Sequence, residues 1–174
     1  MAEPREPSGT RSAFEGTVLH LEIEDWPGHP PYEVIHHPGA SAVLPLLPSN
    51  DVLLVKQFRP AVRRTLTEIP AGLLDVEGED ALTCASRELF EETGYRHRAI
   101  EFLGGYFSSP GFTDEYVHLF WARTESEPEA GPEDGIEVVR MPFVGMVDAA
   151  REGRVRDVKT AVALLIAAER PPLP

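Results

Sequence analysis

A chain of 174 residues with 42% hydrophobic content is long enough for one domain with its own core and too short for two comfortable ones. Its formal net charge of -13 argues against long-range attraction to nucleic acid or an anionic membrane, so any anionic ligand has to be held locally, by a metal, a few arginines or backbone N–H groups. Cys84 is the single cysteine, which excludes an intrachain disulfide and fits a reducing compartment, and no apolar run approaches the length of a membrane span.

Residues 1–12, "MAEPREPSGTRS", are polar, carry no signal-peptide core and are expected to form a flexible tail, with the cytoplasm as the expected location. "GTVLHLEIED" alternates, with Leu19, Leu21 and Ile23 on one face. "WPGHPP" breaks it and "YEVIHH" returns, so residues 13–40 read as an antiparallel strand pair. His36 and His37 have no partner at metal-ligand spacing and receive no role. "SAVLPLL" and "DVLLVKQF" are apolar strands joined by the turn "PSN", and another strand runs into Pro70. A helix follows, with Asp80 at its N-cap and Gly94 just past its end. "HLFWAR" and "IEVVRM" read as two more strands, separated by the acidic loop "TESEPEAGPEDG". Two helices close the chain, "FVGMVDAAREG" and "VKTAVALLIAAER", the second starting at Asp157 and stopped by Pro171. The pattern is α/β: a mixed sheet with three helices packed around it.

The first helix poses the chemical question. On its wheel Leu82, Ala85 and Leu89 form a core stripe, while Glu88, Glu91 and Glu92 span an arc of roughly 100° beside it. Arg87 can pair with Glu91 one turn on, but one arginine does not neutralise three carboxylates. Either this is a solvated acidic face, or the carboxylates hold hard divalent cations such as Mg²⁺ or Mn²⁺. Cys84, without a basic neighbour in sequence, reads as a packing residue rather than a nucleophile. Arg59, following an apolar strand, has the planar fork that matches phosphate oxygens.

The neighbourhood decides between these readings. "GLLDVEGEDALTCASRELFEETGY" resembles the Nudix box, G-x5-E-x7-R-E-U-x-E-E-x-G-U with U apolar. Arg87, Glu88, Leu89, Glu91, Glu92, Gly94 and Tyr95 match in register, and Glu79 takes the early glutamate position. Gly72 lies one residue too far upstream, which implies a one-residue insertion near Val76 in an exposed loop. With "VKQFRP", "LTEIPAG", "SSPGFTDE" and "GRVRDVKTAVALLIA", the resemblance covers most of residues 13–170 and points to the ADP-ribose pyrophosphatase branch of the Nudix hydrolases.

That resemblance implies an α/β/α sandwich, with residues 41–170 as the hydrolase domain and 13–40 contributing to a homodimer with exchanged N-terminal strands. It implies Mg²⁺, or Mn²⁺, at two or more ions per site, held by Glu88, Glu91, Glu92 and the carbonyl of Ala71, with Gly72, Glu79, Arg87 and Gly94 as the structural residues of the box. Glu91 would bind metal through water or orient a ligand. The base would come from the acidic loop, Glu133 or Asp134, with Glu137 in reserve. Tyr32, Glu33, Arg59, Glu68, Gly111 and Glu115 would contact a nucleoside diphosphate substrate. The implied reaction is cleavage of ADP-ribose to AMP and ribose 5-phosphate, with no part for nucleic acid or membrane. One departure stands out: some relatives carry a basic residue where this chain has Pro31, which weakens adenine selectivity more than pyrophosphate cleavage. The alternatives are a pyrophosphatase for another nucleotide sugar such as GDP-mannose, or a non-catalytic ADP-ribose sensor.

Overall fold

The alternating segments pair as their pattern requires. In this computed structural model, which describes residues 5–171 and 173, β2 (His20–Asp25) lies antiparallel between β1 (Gly9–Glu15) and β3 (Tyr32–His36). Leu21 faces Ile35 across the β2–β3 ladder, and the Gly16 N–H donates to the Leu19 carbonyl at 2.8 Å to close the β1–β2 hairpin. The expected strand pair is therefore a three-stranded sheet; of the expected tail, residues 1–4 lie outside the described residues and the part from Gly9 onward belongs to β1. β1 is mostly exposed and has no apolar alternation. What makes it a strand is the backbone edge of β2, which no residue pattern in "GTRSAFE" announces.

Two compact units make up the chain: residues up to Gly39 with Phe107–Tyr116, and residues from Ala40 to Tyr106 with those from Val117 onward. In the first unit the 107–116 segment docks beside β3, the Ile35 N–H donating to the Phe112 carbonyl at 2.8 Å and the Asp114 N–H to the Ile35 carbonyl at 3.2 Å.

The second unit contains β4 (Ala40–Leu46), β5 (Asp51–Arg59), β6 (Arg64–Glu68), β7 (Ala71–Leu73), α1 (Ala81–Thr93), β8 (His97–Phe107), β9 (Tyr116–Thr124), β10 (Glu137–Pro142), α2 (Phe143–Arg151) and α3 (Val158–Ala168), the ends of β8 and β9 reaching into the first. Among the described residues its sheet runs β10-β5-β4-β9-β8, with β6 on β5 and β7 on β4. β4 and β9 are parallel, while β5 is antiparallel to β4, β6 and β10. β8 had no counterpart in the sequence reading; Gly104 and Gly105 interrupt its pattern.

β4 explains the sandwich. Ala42, Leu44 and Leu46 join a core with Val52, Leu54, Leu119, Trp121 and residues of α2 and α3. Val43 and Leu47 join a second core with Leu53, Phe120, Ala85, Leu89 and Tyr95. Both faces are covered, so the strand reads as an uninterrupted apolar run. Each large aliphatic side chain so buried contributes about 1.5–3 kcal/mol. α1 thus covers one face and α2 with α3 the other, the α/β/α order expected.

The caps of α1 and α3 follow the sequence. Asp80 accepts from the Thr83 N–H at 2.7 Å and Asp157 from the Thr160 N–H at 2.9 Å. The Gly94 N–H donates to the Phe90 carbonyl, with Gly94 left-handed at φ 75°. One expectation fails on α1: Leu82 is 43% exposed, and the buried stripe is Cys84, Ala85, Leu89 and Thr93, with Glu92 among them.

Candidate active site

The box starts from a pinned backbone. β7 pairs with β4, setting Ala71 opposite Ala42 and Gly72 opposite Ser41. The chain then turns through Val76–Glu79, where the Glu79 N–H donates to the Val76 carbonyl at 3.1 Å and Gly78 sits at φ 79°. The extra residue of the box spacing lies between Gly72 and Glu79, in the segment that contains this turn. A Cβ on Gly72 would lie 1.9 Å from Glu88 Oε1, so the glycine is the cradle into which the Glu88 carboxylate fits.

Arg87 organises the box. Its Nε and Nη2 hold both oxygens of Glu79 at 2.8 and 2.9 Å, and its Nη1 reaches Glu88 at 2.5 Å and Glu91 at 2.9 Å. Glu91 is half exposed, whereas the side chains of Glu88 and Glu92 are buried or nearly so. Burial raises the Glu88 carboxyl above its ordinary range, opposed by Arg87 and reinforced by the charges of Glu91 and Glu133. Burial pushes Glu92 up to about 7; the Ala71 N–H, donating at 3.1 Å, pulls the other way and Glu88 adds to the rise. Two desolvated carboxylates over a glycine cradle are a costly arrangement with a chemical remedy: hard oxygen donors suit a hard divalent cation. The donor set fits Mg²⁺ or Mn²⁺, with Glu88, Glu92, Glu91 and the Ala71 carbonyl as candidate ligands. Cys84 is fully buried beside the Leu73 carbonyl, and burial pushes its thiol up to about 12, which leaves it a packing residue.

The acidic loop is docked on α1. The Glu129 N–H donates to the Gly94 carbonyl at 2.8 Å and the Glu133 N–H to the Glu91 carbonyl at 2.9 Å. Residues 130–133, with Phe90 and Glu91, line a cavity of about 420 Å³. Glu133 is thereby joined to the carboxylate helix, while Asp134 lies one residue on, in the turn closed by the Ile136 N–H to the Glu133 carbonyl at 3.2 Å. Glu137 instead pairs with Lys56 at 2.7 Å across the β5–β10 ladder, which explains it as a cross-strand ion pair.

Arg59 ends β5 with its fork on Glu68, Nε to Oε1 at 2.9 Å and Nη2 to Oε2 at 2.8 Å. Glu68 also accepts from Lys159 Nζ and is 1% exposed. Burial alone would raise its carboxyl, but Arg59 and Lys159 outweigh it and the net shift is downward. Glu68, expected among the substrate contacts, is thus a buried carboxylate whose two oxygens accept from Arg59 and Lys159, and it holds the Arg59 fork.

In the first unit, Tyr32 and Gly111 line one cavity of about 560 Å³ together with Trp26, His29, Phe107 and Phe112. Glu33, next to Tyr32 on β3, is exposed. Glu115 lies 3.7 Å from His37, and its N–H donates to the Thr113 hydroxyl. His36 turns out to be richly partnered, against expectation: Nδ1 is 2.7 Å from Asp114, and Nε2 is 3.4 Å from Glu22 and 3.9 Å from Glu24. The Asp114 hydrogen bond raises its pKa.

Residues 35–163 match the family model described as "NUDIX domain". The chain belongs to the Nudix family. Among its curated relatives, this Nudix protein is 37% identical over 159 residues to an ADP-ribose pyrophosphatase of Bacillus subtilis, covering 87% of this chain and 85% of the relative. It is 35% identical over 163 residues to a methanol dehydrogenase activator of Bacillus methanolicus, covering 89% and 88%. Against a GDP-mannose pyrophosphatase of Cronobacter sakazakii it is 37% identical over 137 residues, covering 72% and 71%. A crystal structure of an ADP compounds hydrolase matches the fold with a TM-score of 0.77 over 97% of this chain and 96% of that one, at 18% identity.

The residues from Gly72 to Gly94 that resemble the Nudix box lie in the second unit, on β7, the following turn and α1. Three things were not visible beforehand: the Lys159 contact to Glu68, the aromatic lining around Tyr32, and the partners of His36. Lys159 and Glu68 stand far apart in sequence, and Trp26 lies in the turn segment "WPGHPP", where an aromatic reads as an ordinary loop residue.

Proposed function

We propose that this Nudix protein is a cytoplasmic, homodimeric pyrophosphohydrolase that uses Mg²⁺ to cleave ADP-ribose to AMP and ribose 5-phosphate. The observation that carries the reading is the pair of buried carboxylates, Glu88 and Glu92, set against Ala71 and Gly72 beneath a docked acidic loop. Divalent ions bound there would withdraw charge from the diphosphate oxygens and favour in-line attack by water. Glu88 and Glu92 would hold the ions with help from the Ala71 carbonyl, and Glu91 would bind through water or orient a ligand. Glu133 takes the proton of the attacking water, with Asp134 as the neighbouring candidate; its attachment to α1 supports this assignment. The water oxygen bonds to phosphorus as the bridging P–O bond breaks. Arg59 grips the diphosphate, and Glu68 fixes the fork with which it does so. Tyr32 stacks on the base, with Glu33, Gly111 and Glu115 as further substrate contacts.

The likeness to an ADP-ribose pyrophosphatase supports the substrate. A second reading, a GDP-mannose-type pyrophosphatase, is supported by the Cronobacter relative and by Pro31, where a basic grip on adenine is missing. A panel of nucleoside diphosphate sugars and nucleoside triphosphates with Mg²⁺, read by phosphate release after phosphatase treatment, separates them. ADP-ribose is expected to have the highest kcat/KM. A higher value for GDP-mannose moves the assignment to the second reading, a higher value for a triphosphate removes the branch assignment, and absence of turnover throughout favours a sensor.

A further inference from the structure

Lys159 sits in the first turn of α3, where a cation opposes the positive end of the helix dipole. Its surroundings supply the reason. Nζ donates to Glu68 and to Asp157 Oδ1, the latter at 2.9 Å, and the side chain is only 16% exposed. Glu68 is the carboxylate that holds the Arg59 fork. The group is a neutral quartet, Arg59 and Lys159 against Glu68 and Asp157. Remove Lys159 and one cation faces two carboxylates, a net charge of -1 where an anionic diphosphate has to approach. Glu68, desolvated and left with one partner, would then neutralise Arg59 outright. The neighbouring residue ties the same helix start to the chain leading into the box, because the Ile69 N–H donates to Thr160 Oγ1 at 2.8 Å.

We infer that Lys159 is a positioning residue for the hydrolysis: by sharing Glu68 it keeps the Arg59 guanidinium oriented and its charge available to the diphosphate. The inference rests on the reading of Arg59 as the diphosphate clamp. Arg59 is more than a third exposed, whereas Glu68 and Lys159 are covered, so the arginine is the member of the group that can meet a ligand.

Steady-state kinetics with ADP-ribose and Mg²⁺ test it on Lys159→Met, Lys159→Arg, Arg59→Gln and the Lys159→Met/Arg59→Gln double variant. Lys159→Met should raise KM by about tenfold and change kcat by less than about threefold, the signature of lost uniform binding. Lys159→Arg, which restores the charge, should recover most of that loss. In the Arg59→Gln background Lys159→Met should add less than about twofold, since residues acting through one another are not additive. Should Lys159→Met melt too low to assay, Lys159→Gln keeps a donor for Glu68, removes only the charge, and carries the same comparison. An unchanged KM, no recovery with arginine, or full additivity with Arg59→Gln overturns the inference while leaving the hydrolase reading intact. A wild-type protein that turns over no nucleoside diphosphate compound overturns the clamp reading, and this inference with it, before any variant is made.

Discussion

Glu92 is 5% exposed, carries a carboxylate, and is raised to about 7 by burial ahead of every other influence. Its folded form binds a proton more tightly than the unfolded chain does. The stability it confers is therefore present below the ordinary carboxylate range, near 4.5, and is lost as pH rises through about 7. Metal-stripped protein should melt at progressively lower temperature as pH is raised across that window, and Glu92→Gln should flatten the dependence and raise the melting temperature at pH 8. Glu88, raised in the same sense by burial, leaves a residual slope. With Mg²⁺ the same substitution should cost about two orders of magnitude or more in kcat, the range lost when an electrostatic stabiliser of the transition state is removed. Near-normal turnover at saturating Mg²⁺ would exclude Glu92 as an essential ligand.

At the scale of elements, Gly94 does two jobs. It ends α1 in a left-handed conformation at φ 75°, and its bare Cα admits the acidic loop: a Cβ there would lie 1.9 Å from the Ala130 carbonyl oxygen. That contact is backbone against backbone, so no rotamer change relieves it, and the left-handed strain adds about 1–2 kcal/mol. Gly94→Ala should lower the melting temperature by at least about 4 °C. It should also lift the loop, seen as faster exchange of the Glu129 and Glu133 amides, and lower kcat as Glu133 leaves the carboxylate helix. Unchanged exchange at those two amides would show that the loop is held without help from the glycine.

For the whole molecule, the proposed dimer is the larger question. The first unit exposes Phe14, Val18, Leu19 and Tyr32, apolar side chains that a second copy could cover. If Tyr32 serves the partner's site, Tyr32→Ala and Glu92→Gln are lesions that segregate. In a mixed dimer one site receives both and the other neither. The two inactive variants, unfolded and refolded together, should regain about a quarter of wild-type activity, because half of the randomly formed dimers are mixed and each has one intact site. A monomer by light scattering, or no recovery despite mixed dimers seen by mass spectrometry, would return Tyr32 to a role within its own chain.

Local chemistry made much of this protein readable in advance. Box spacing from Arg87 to Gly94, the Asp80 and Asp157 caps and the apolar runs of β4 and β5 depend on neighbours within a turn or a strand, so one-dimensional periodicity carries them. β1 and the partners of His36 were decided elsewhere, by a strand edge and by groups from the neighbouring strand β2 and a distant loop. Glu68 shows the difference most plainly. The family resemblance implied a substrate contact for it, and no local pattern announced that Arg59 from β5 and Lys159 from α3 would occupy its oxygens. A buried carboxylate must find its counter-charges in space, and those counter-charges come from elements that only the folded chain brings together.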